Sequence, residues 1–386
     1  MAPPADPGRS GPLPPLAVHG RDLVRLDTGA PVRLRGVNRS GLEYADPRAA
    51  GSGPGPGRSG AAAFLDAVAF DEADVRRIAG WGANVLRLPF TQDFVLRGRG
   101  AAAGADYLAA LDQVVAWAEG CGVYTLLDLQ WIDAETPRGI GQDGSINRVP
   151  ALPDADSIEA WRILASRYRD RPSVLFDLFN EPHTPMQGDE APLVGIRPDG
   201  SLWRLPARVV GMDEWQPWAL RLIAEIRAAH PASVIFVSGV RWAYDLRGFP
   251  LRRRSGRPLE GLVYSTHVYP WMTIGLLPGR RPEQEWHRAF GHLAAAHPVF
   301  AGEWGGGPAD VEWGRRLLAY LEATTVGWTA WSWCDWPPLL ADHRGGDGTP
   351  TPFGEVVRAG LEKAGRVTAG RGTAGRGTGR SSAAEA

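Results

Sequence analysis

The sequence predicts a single (β/α)8 barrel, and three observations carry that prediction. Eight short apolar runs of the kind that form buried parallel strands alternate with segments whose apolar residues recur at three and four. Most of those runs stop at a cluster of polar or aromatic residues, the position where barrel enzymes place their chemistry. No Gly-rich phosphate loop follows any of the runs, which argues against the rival arrangement, an open doubly wound sheet.

Taken in order, residues 1–15 are Pro/Gly-rich and are expected to be disordered. Val18–Asp27 and Val32–Leu34, joined through Thr28-Gly29-Ala30-Pro31, read as a short N-terminal β-hairpin that caps the lower end of the barrel. The eight strands are expected at Leu34–Asn38, Val85–Pro89, Tyr124–Leu129, Val174–Asn180, Val234–Ser238, Leu262–His267, Val299–Glu303 and Gly327–Trp333. Helical periodicity lies between most of them, at Asp106–Glu119, Ser157–Tyr168, Glu214–Ala229, Glu283–Ala296 and Asp310–Ala323, with Ser157 and Asp310 as N-caps. The crossover after Val234–Ser238 shows the weakest helical pattern. Long connections follow strand 1 (Ala45–Ala62), strand 3 (Ile132–Pro153) and strand 4 (Pro182–Val210, with Trp203 and Arg204), so all three overhang one face of the barrel. One catalytic domain is expected over 16–364, followed by a disordered Gly/Arg/Thr/Ala-rich tail over 365–386.

Composition removes several function classes. The chain has 386 residues and a formal net charge of −1, which gives no electrostatic case for nucleic acid or an anionic membrane. No run approaches the ~18 apolar residues of a spanning helix. The N-terminus lacks a basic stretch followed by an apolar one, so a cytoplasmic protein is expected as written, or a secreted one if a leader has been removed. Cys121, before strand 3, and Cys334, after strand 8, are expected at opposite ends of the barrel, too far apart to bridge. Sixteen Trp against eight Tyr and eleven Phe is a heavy indole load. Indole faces are platforms for sugar rings, although most tryptophans in any chain are core.

The chemistry is concentrated in Leu178-Phe179-Asn180-Glu181-Pro182 and Phe300-Ala301-Gly302-Glu303-Trp304-Gly305, two apolar runs that each stop at a glutamate. A single strand-end glutamate is more often an ion-pair partner, but two of them form an acid/nucleophile pair for cleaving a glycosidic bond. The other strand ends add Asn38 and Arg39, Arg87, Asp128-Leu129-Gln130-Trp131, His267-Val268-Tyr269 and Trp331-Ser332-Trp333 around the same mouth. A metal-dependent hydrolase would need clustered His and Asp at these ends, and only His267 qualifies, so neither metal nor organic cofactor is expected.

With Asn-Glu-Pro at 180–182, His-x-Tyr at 267–269 and Glu303, the chain from Leu34 to Leu361 resembles the family 5 cellulase-like glycoside hydrolases, within the clan of retaining (β/α)8 glycosidases. The resemblance implies Glu181 as acid/base and Glu303 as nucleophile. It implies Arg87 beside the nucleophile, Tyr269 hydrogen-bonded to Glu303, Asn180 on the sugar 2-hydroxyl and His267 beside the acid/base. Trp331 would stack beneath the reacting ring, with Trp333 as the neighbouring candidate. One departure stands out: where the family carries His at the end of strand 3, this chain has Gln130, followed by Trp131. Gln130 can still exchange hydrogen bonds with sugar hydroxyls but cannot titrate.

The function expected is therefore a retaining hydrolase of β-linked glucan or a related β-glycan, whose partner is a β-linked oligosaccharide, polysaccharide or β-glycoside. A mannan- or glycolipid-directed enzyme of the same family is the alternative. The apolar stretch Trp271–Leu277 after strand 6 bears on it, although that stretch reads more readily as a buried loop. A catalytically silent carbohydrate-binding barrel is a third reading, which the presence of both glutamates disfavours.

Overall fold

The computed structural model describes residues 12–47, 60–98, 103–132, 151–183, 210–253, 255–272, 281–334, 336–343 and 348–373, with four short strand segments at Gly139–Ile140, Ile146–Asn147, Leu193–Ile196 and Leu202–Arg204. Eight parallel strands close into a barrel: Arg35–Asn38, Val85–Thr91, Tyr124–Trp131, Val174–Asp177, Ile235–Ser238, Leu262–Val268, Val299–Trp304 and Gly327–Ala330. They are called strands 1 to 8 below, and each pairs with its sequence neighbour, strand 8 returning to strand 1. Every one of the eight expected strands is present, with ends shifted by one to three residues. Strands 4 and 8 are the most shortened, by three residues each at their C-terminal ends.

The outer helices bury one face each. Ala155–Arg167 is started by a reciprocal cap: Asp154 accepts from the Ser157 amide at 3.0 Å, while the Ser157 hydroxyl accepts from the Asp154 amide at 3.1 Å. Asp154 is thus the N-cap, and Ser157, expected there, is its third-position partner. Asp310 stands at the expected N-cap position of Val311–Ala323, and its side chain accepts from the Gly307 amide in the preceding turn rather than from that helix. The expected helix Glu283–Ala296 is broken into Pro282–Trp286, a π turn at His287–Gly291 and a 3-10 turn at Leu293–Ala295. Gly291 explains the close approach there, since a Cβ on it would sit 1.9 Å from the Tyr320 phenol oxygen. Between strands 5 and 6 the described residues form no helix, in line with the weak periodicity of that crossover.

The lower end differs from expectation in an informative way. The antiparallel strands Leu16–His19, Asp22–Arg25 and Pro31–Val32 form the predicted cap. Yet Leu13, inside the segment expected to be disordered, is buried in a cluster with Leu126, Leu175, Phe236, Val263 and Phe300 from the barrel floor. Tyr124 donates to the Pro14 carbonyl at 2.7 Å, tying the same segment down. Pro-rich composition fixed no internal secondary structure but left one leucine free to plug the barrel. At the other terminus the helix Pro352–Thr373 runs past the boundary expected at 364, and residues 374–386 lie outside the described ones. Neither Cys121 nor Cys334 is in a disulfide.

Replacing Leu13 by Ala is predicted to lower the free energy of unfolding by about 2 kcal/mol, measured by chemical denaturation, through the cavity left at the barrel floor. A segment without native contacts would show no change.

Candidate active site

Two irregularities in the ladder place the functional side chains. Between strands 6 and 7 the register passes from Thr266–Ala301 to His267–Glu303, so Gly302 is an extra residue. Between strands 2 and 3 it passes from Phe90–Leu129 to Thr91–Trp131, which makes Gln130 the extra residue. Bulges re-aim side chains at the rims of barrels. Glycine is required at 302 because a Cβ would meet the Ser265 hydroxyl at 2.6 Å and His267 Nε2 at 3.0 Å.

At the centre lies Arg87, fully buried. Its Nε donates to Asp177 at 3.0 Å, its Nη1 to Asn38 and to Glu303 Oε1 at 2.9 Å each, and its Nη2 to Asn180 at 3.0 Å. Asp128 Oδ1 lies 2.9 Å from the same Nη2. Asn38 in turn donates to the Gly302 carbonyl at 2.9 Å, fixing the backbone just before Glu303. The Tyr269 phenol donates to Glu303 Oε2 at 2.7 Å. His267 Nδ1 sits 2.8 Å from Glu181 Oε1 and 3.6 Å from Glu303 Oε2, bridging the two carboxyls.

Burial sets the protonation states. It pushes Glu181 well above the usual carboxylate range, and the charge of Glu303 adds to that. Burial also raises Glu303, but Arg87 and the Tyr269 phenol oppose it by favouring the ionised form. At Glu303 desolvation outweighs the guanidinium. Both carboxyls are raised, and the opposing partners Arg87 and Tyr269 lie against Glu303. Burial, reinforced by Arg87, holds His267 well below its usual value, so its imidazole is neutral. Asp128 is also driven well above the carboxylate range, by burial and by Asp177 and Glu303.

The remaining expected residues are placed as follows. Asn180 is buried on Arg87, and Gln130 is 8% exposed at its bulge, its Oε1 accepting no hydrogen bond among the described residues. Trp131 and Trp331 are half-buried at the rim, Trp131 packing near Tyr44 and Trp331 donating to the Trp336 carbonyl. Trp333 requires correction: it is wholly enclosed, packs edge-on against Trp81 and donates to Asp74, so no sugar ring can reach it. Trp304 is likewise core, against Trp328 and Phe353. Trp271 is 58% exposed rather than buried, stacked between Tyr269 and the 71% exposed Trp336; the rest of its stretch from 273 and the side chains of Trp203 and Arg204 lie outside the described residues.

Asn38 was marked only as one of the polar strand ends, without a role, and Asp177 was not singled out from sequence. An aspartate inside the apolar run Leu175-Phe176-Asp177-Leu178-Phe179 was the available signal, since a buried carboxylate demands a partner. Glu181, His267 and Glu303 also present ligand-type atoms within 4.8 Å of one another, a spacing that could hold a metal ion. Arg87 already supplies Glu303 with a full positive charge, and His267 already meets Glu181, so the cluster has its counter-charge within the chain.

A closed parallel barrel with a half-buried and a buried glutamate, Glu181 and Glu303, at its C-terminal mouth defines the class, the (β/α)8 glycoside hydrolases. A family model described as cellulase, glycosyl hydrolase family 5, matches residues 60–336, a span that holds both glutamates. The chain belongs to that family. It is 26% identical over 364 residues to a major extracellular endoglucanase of Xanthomonas campestris, covering 84% of this chain and 66% of that one. It is 25% identical over 289 residues to an endoglucanase of Paenibacillus polymyxa, covering 65% and 66%. The chain thus spans just under two thirds of the length of these curated relatives. Its fold is that of a beta-glucanase from Saccharophagus degradans solved with cellotetraose, with TM-score 0.64 and 24% identity over 91% of this chain and 93% of that one.

Replacing Arg87 by Met leaves Asp128, Asp177 and Glu303 without their cation and is predicted to cost about 3–5 kcal/mol in unfolding free energy at neutral pH. The carboxyls of that variant have raised folded-state pKa values, so the loss shrinks as pH falls and grows as pH rises. Urea unfolding at acid and neutral pH measures it, and a loss independent of pH would contradict the assignment.

Proposed function

We propose that the protein hydrolyses β-linked glucan or a related β-glycan with retention of configuration, by double displacement. The observation that carries this reading is the spacing of the dyad. Carboxylate oxygens of Glu181 and Glu303 lie within 4.8 Å of each other and of His267 Nδ1. Retaining enzymes keep their carboxyl groups ~5–5.5 Å apart, whereas inverting enzymes need ~6.5–9.5 Å to admit a water. The endoglucanase relatives and the cellotetraose-bound neighbour support the β-glucan substrate class.

In this mechanism Glu303 attacks the anomeric carbon while Glu181 gives its proton to the leaving oxygen. The glycosyl ester on Glu303 is then hydrolysed by water that Glu181, now a carboxylate, deprotonates. Arg87 and Tyr269 hold Glu303 in one orientation and favour its ionised form. Neutral His267 positions Glu181 without adding a charge between the carboxyls. Asn180 meets the 2-hydroxyl, Gln130 offers its unpaired Oε1 to a ring hydroxyl, Trp331 lies beneath the reacting ring and Trp131 borders the next.

One observation favours a second reading. The exposed stack of Trp271 and Trp336 beside Tyr269 is apolar surface at the mouth, which an apolar aglycone of a glycolipid would cover.

The test is turnover of soluble β-glucans, β-mannans, aryl β-cellobiosides and a glycosylceramide, with the first-formed anomer followed by proton NMR. The β-anomer is expected first, and an initial α-anomer would overturn the mechanism. Glu181→Gln is predicted to slow unactivated substrates by about 10²–10⁴-fold, and Glu303→Gln to abolish turnover. The rate should fall on the acid side as Glu303 takes up a proton. It should fall on the alkaline side as Glu181 loses one, at a pH above the ordinary carboxylate range because its pKa is raised.

A further inference from the structure

The connection between strands 5 and 6 carries Arg252-Arg253-Arg254-Ser255-Gly256-Arg257-Pro258-Leu259-Glu260, four arginines against one carboxylate. Arg254 lies outside the described residues. The others form a tight antiparallel turn. Arg252 bridges to Pro258, the Arg253 amide donates to the Arg257 carbonyl at 2.8 Å, and the Leu259 amide donates to the Leu251 carbonyl at 2.9 Å. The Arg252 guanidinium braces the same turn through the Gly256 carbonyl at 2.8 Å. Leu251 is buried and seats the turn on the barrel, while Arg252, Arg253 and Arg257 are exposed. Arg227, in the last turn of the helix Met212–Ala229, joins them; its Nη2 donates to the Glu260 carbonyl at 2.6 Å.

Among the described residues none of Arg227, Arg252, Arg253 and Arg257 is in an ion pair. Exposed arginines elsewhere are met by acids, as in Arg76–Glu72, Arg162–Glu159 and Arg316–Glu283. Burial and the charge of Arg253 hold Arg227 below its usual value, and the more distant Glu260 carboxylate does not offset them. Half-buried His297 is likewise lowered, by burial and then by Arg252, so it brings no charge of its own. Guanidinium groups collected without counter-charge raise a local positive potential. A braced backbone presents them in one arrangement, which lowers the entropy lost on binding an anion. The cluster sits at the lower end of the barrel, since Arg227 precedes strand 5 and the turn precedes strand 6, whose first residues Ile235 and Leu262 pair with each other. Glu181 and Glu303 lie at the opposite end.

We propose that this turn, with Arg227, binds an acidic polysaccharide, a chain carrying uronate carboxylates, and holds the protein with its catalytic mouth facing away from that chain. Guanidinium forks match carboxylates through two parallel hydrogen bonds. An anionic bilayer fits less well, because attachment to it gains from apolar groups inserted beside the charges, and the exposed large hydrophobics Leu26, Tyr44, Trp271 and Trp336 belong to other segments. Single-stranded nucleic acid calls for aromatic platforms, and residues 252–258 contain no aromatic. A nucleic-acid duplex carries one charge per ~1.7 Å, too dense for a protein whose net charge is −1. A uronate chain sets each charge on a separate sugar. This contact is read by charge and does not depend on the one proposed at the mouth.

The test is affinity electrophoresis of the full chain in native gels cast with polygalacturonate, or with dextran as the neutral control, retardation being followed against polymer concentration. Wild type is compared with Arg252→Gln/Arg253→Gln/Arg257→Gln and with a charge-matched control, Arg76→Gln/Arg162→Gln/Arg316→Gln. Wild type and control should be retarded by polygalacturonate and not by dextran. The cluster variant should bind about tenfold more weakly, from about twofold for each exposed guanidinium, and retention should fall with added salt. Arg253→Gln alone, at a side chain without a hydrogen-bond partner among the described residues, should lose about twofold even if the triple variant is unstable. An unretarded wild type, or equal losses in the cluster variant and the control, overturns the proposal. Tighter binding of phosphatidylglycerol vesicles or duplex DNA than of polygalacturonate at equal ionic strength overturns it in favour of that partner.

Discussion

A single buried guanidinium holds this site together. Arg87 faces Asp128, Asp177 and Glu303 at hydrogen-bonding distance, and Glu181 completes a set of four carboxyls around one cation. Four ionised carboxylates cannot share so small a space with one positive charge, so protons must remain on some of them. Arg87 and Tyr269 bias which, by lying against Glu303, while Glu181 meets a neutral imidazole. In the proposed mechanism the division of labour between the two glutamates would follow from that asymmetry in partners rather than from any difference in the groups themselves.

The backbone serves the same end. The extra residue Gly302 allows His267 and Glu303 to stand opposite each other across neighbouring strands, and Asn38 clamps the Gly302 carbonyl while accepting from Arg87. The left-handed turn at 241–243 brings Trp242 against the residues that follow Glu181. Each device positions a side chain by changing the main chain at one or a few residues, on a barrel whose floor is plugged by Leu13 and its neighbours.

Much of this was legible in the sequence because the barrel is a sum of local signals. Apolar runs of four to eight residues marked all eight strands, and their polar ends marked Arg87, Asn180, Glu181, His267, Tyr269 and Glu303. What was not legible depended on side-chain direction and long-range packing. Trp331 and Trp333 are two residues apart and look equivalent in sequence, but one stays half-buried at the rim while the other lies in the core against Trp81. Leu13 looked like part of a disordered leader because nothing local shows that the barrel floor has a space for it. The π turn at His287–Gly291 was hidden for the same reason, since the contact that shapes it comes from Tyr320 on another helix.

The central claim is that Glu181 and Glu303 titrate as a coupled pair with the proton resting on Glu181. Carbon-13 NMR of glutamate side-chain carboxyls across pH, in wild type and in Glu303→Gln, tests it most directly. The account predicts that the higher of the two macroscopic pKa values belongs mainly to Glu181 and falls when the Glu303 charge is removed. A Glu181 resonance that titrates below Glu303, or that does not move in the variant, would contradict it.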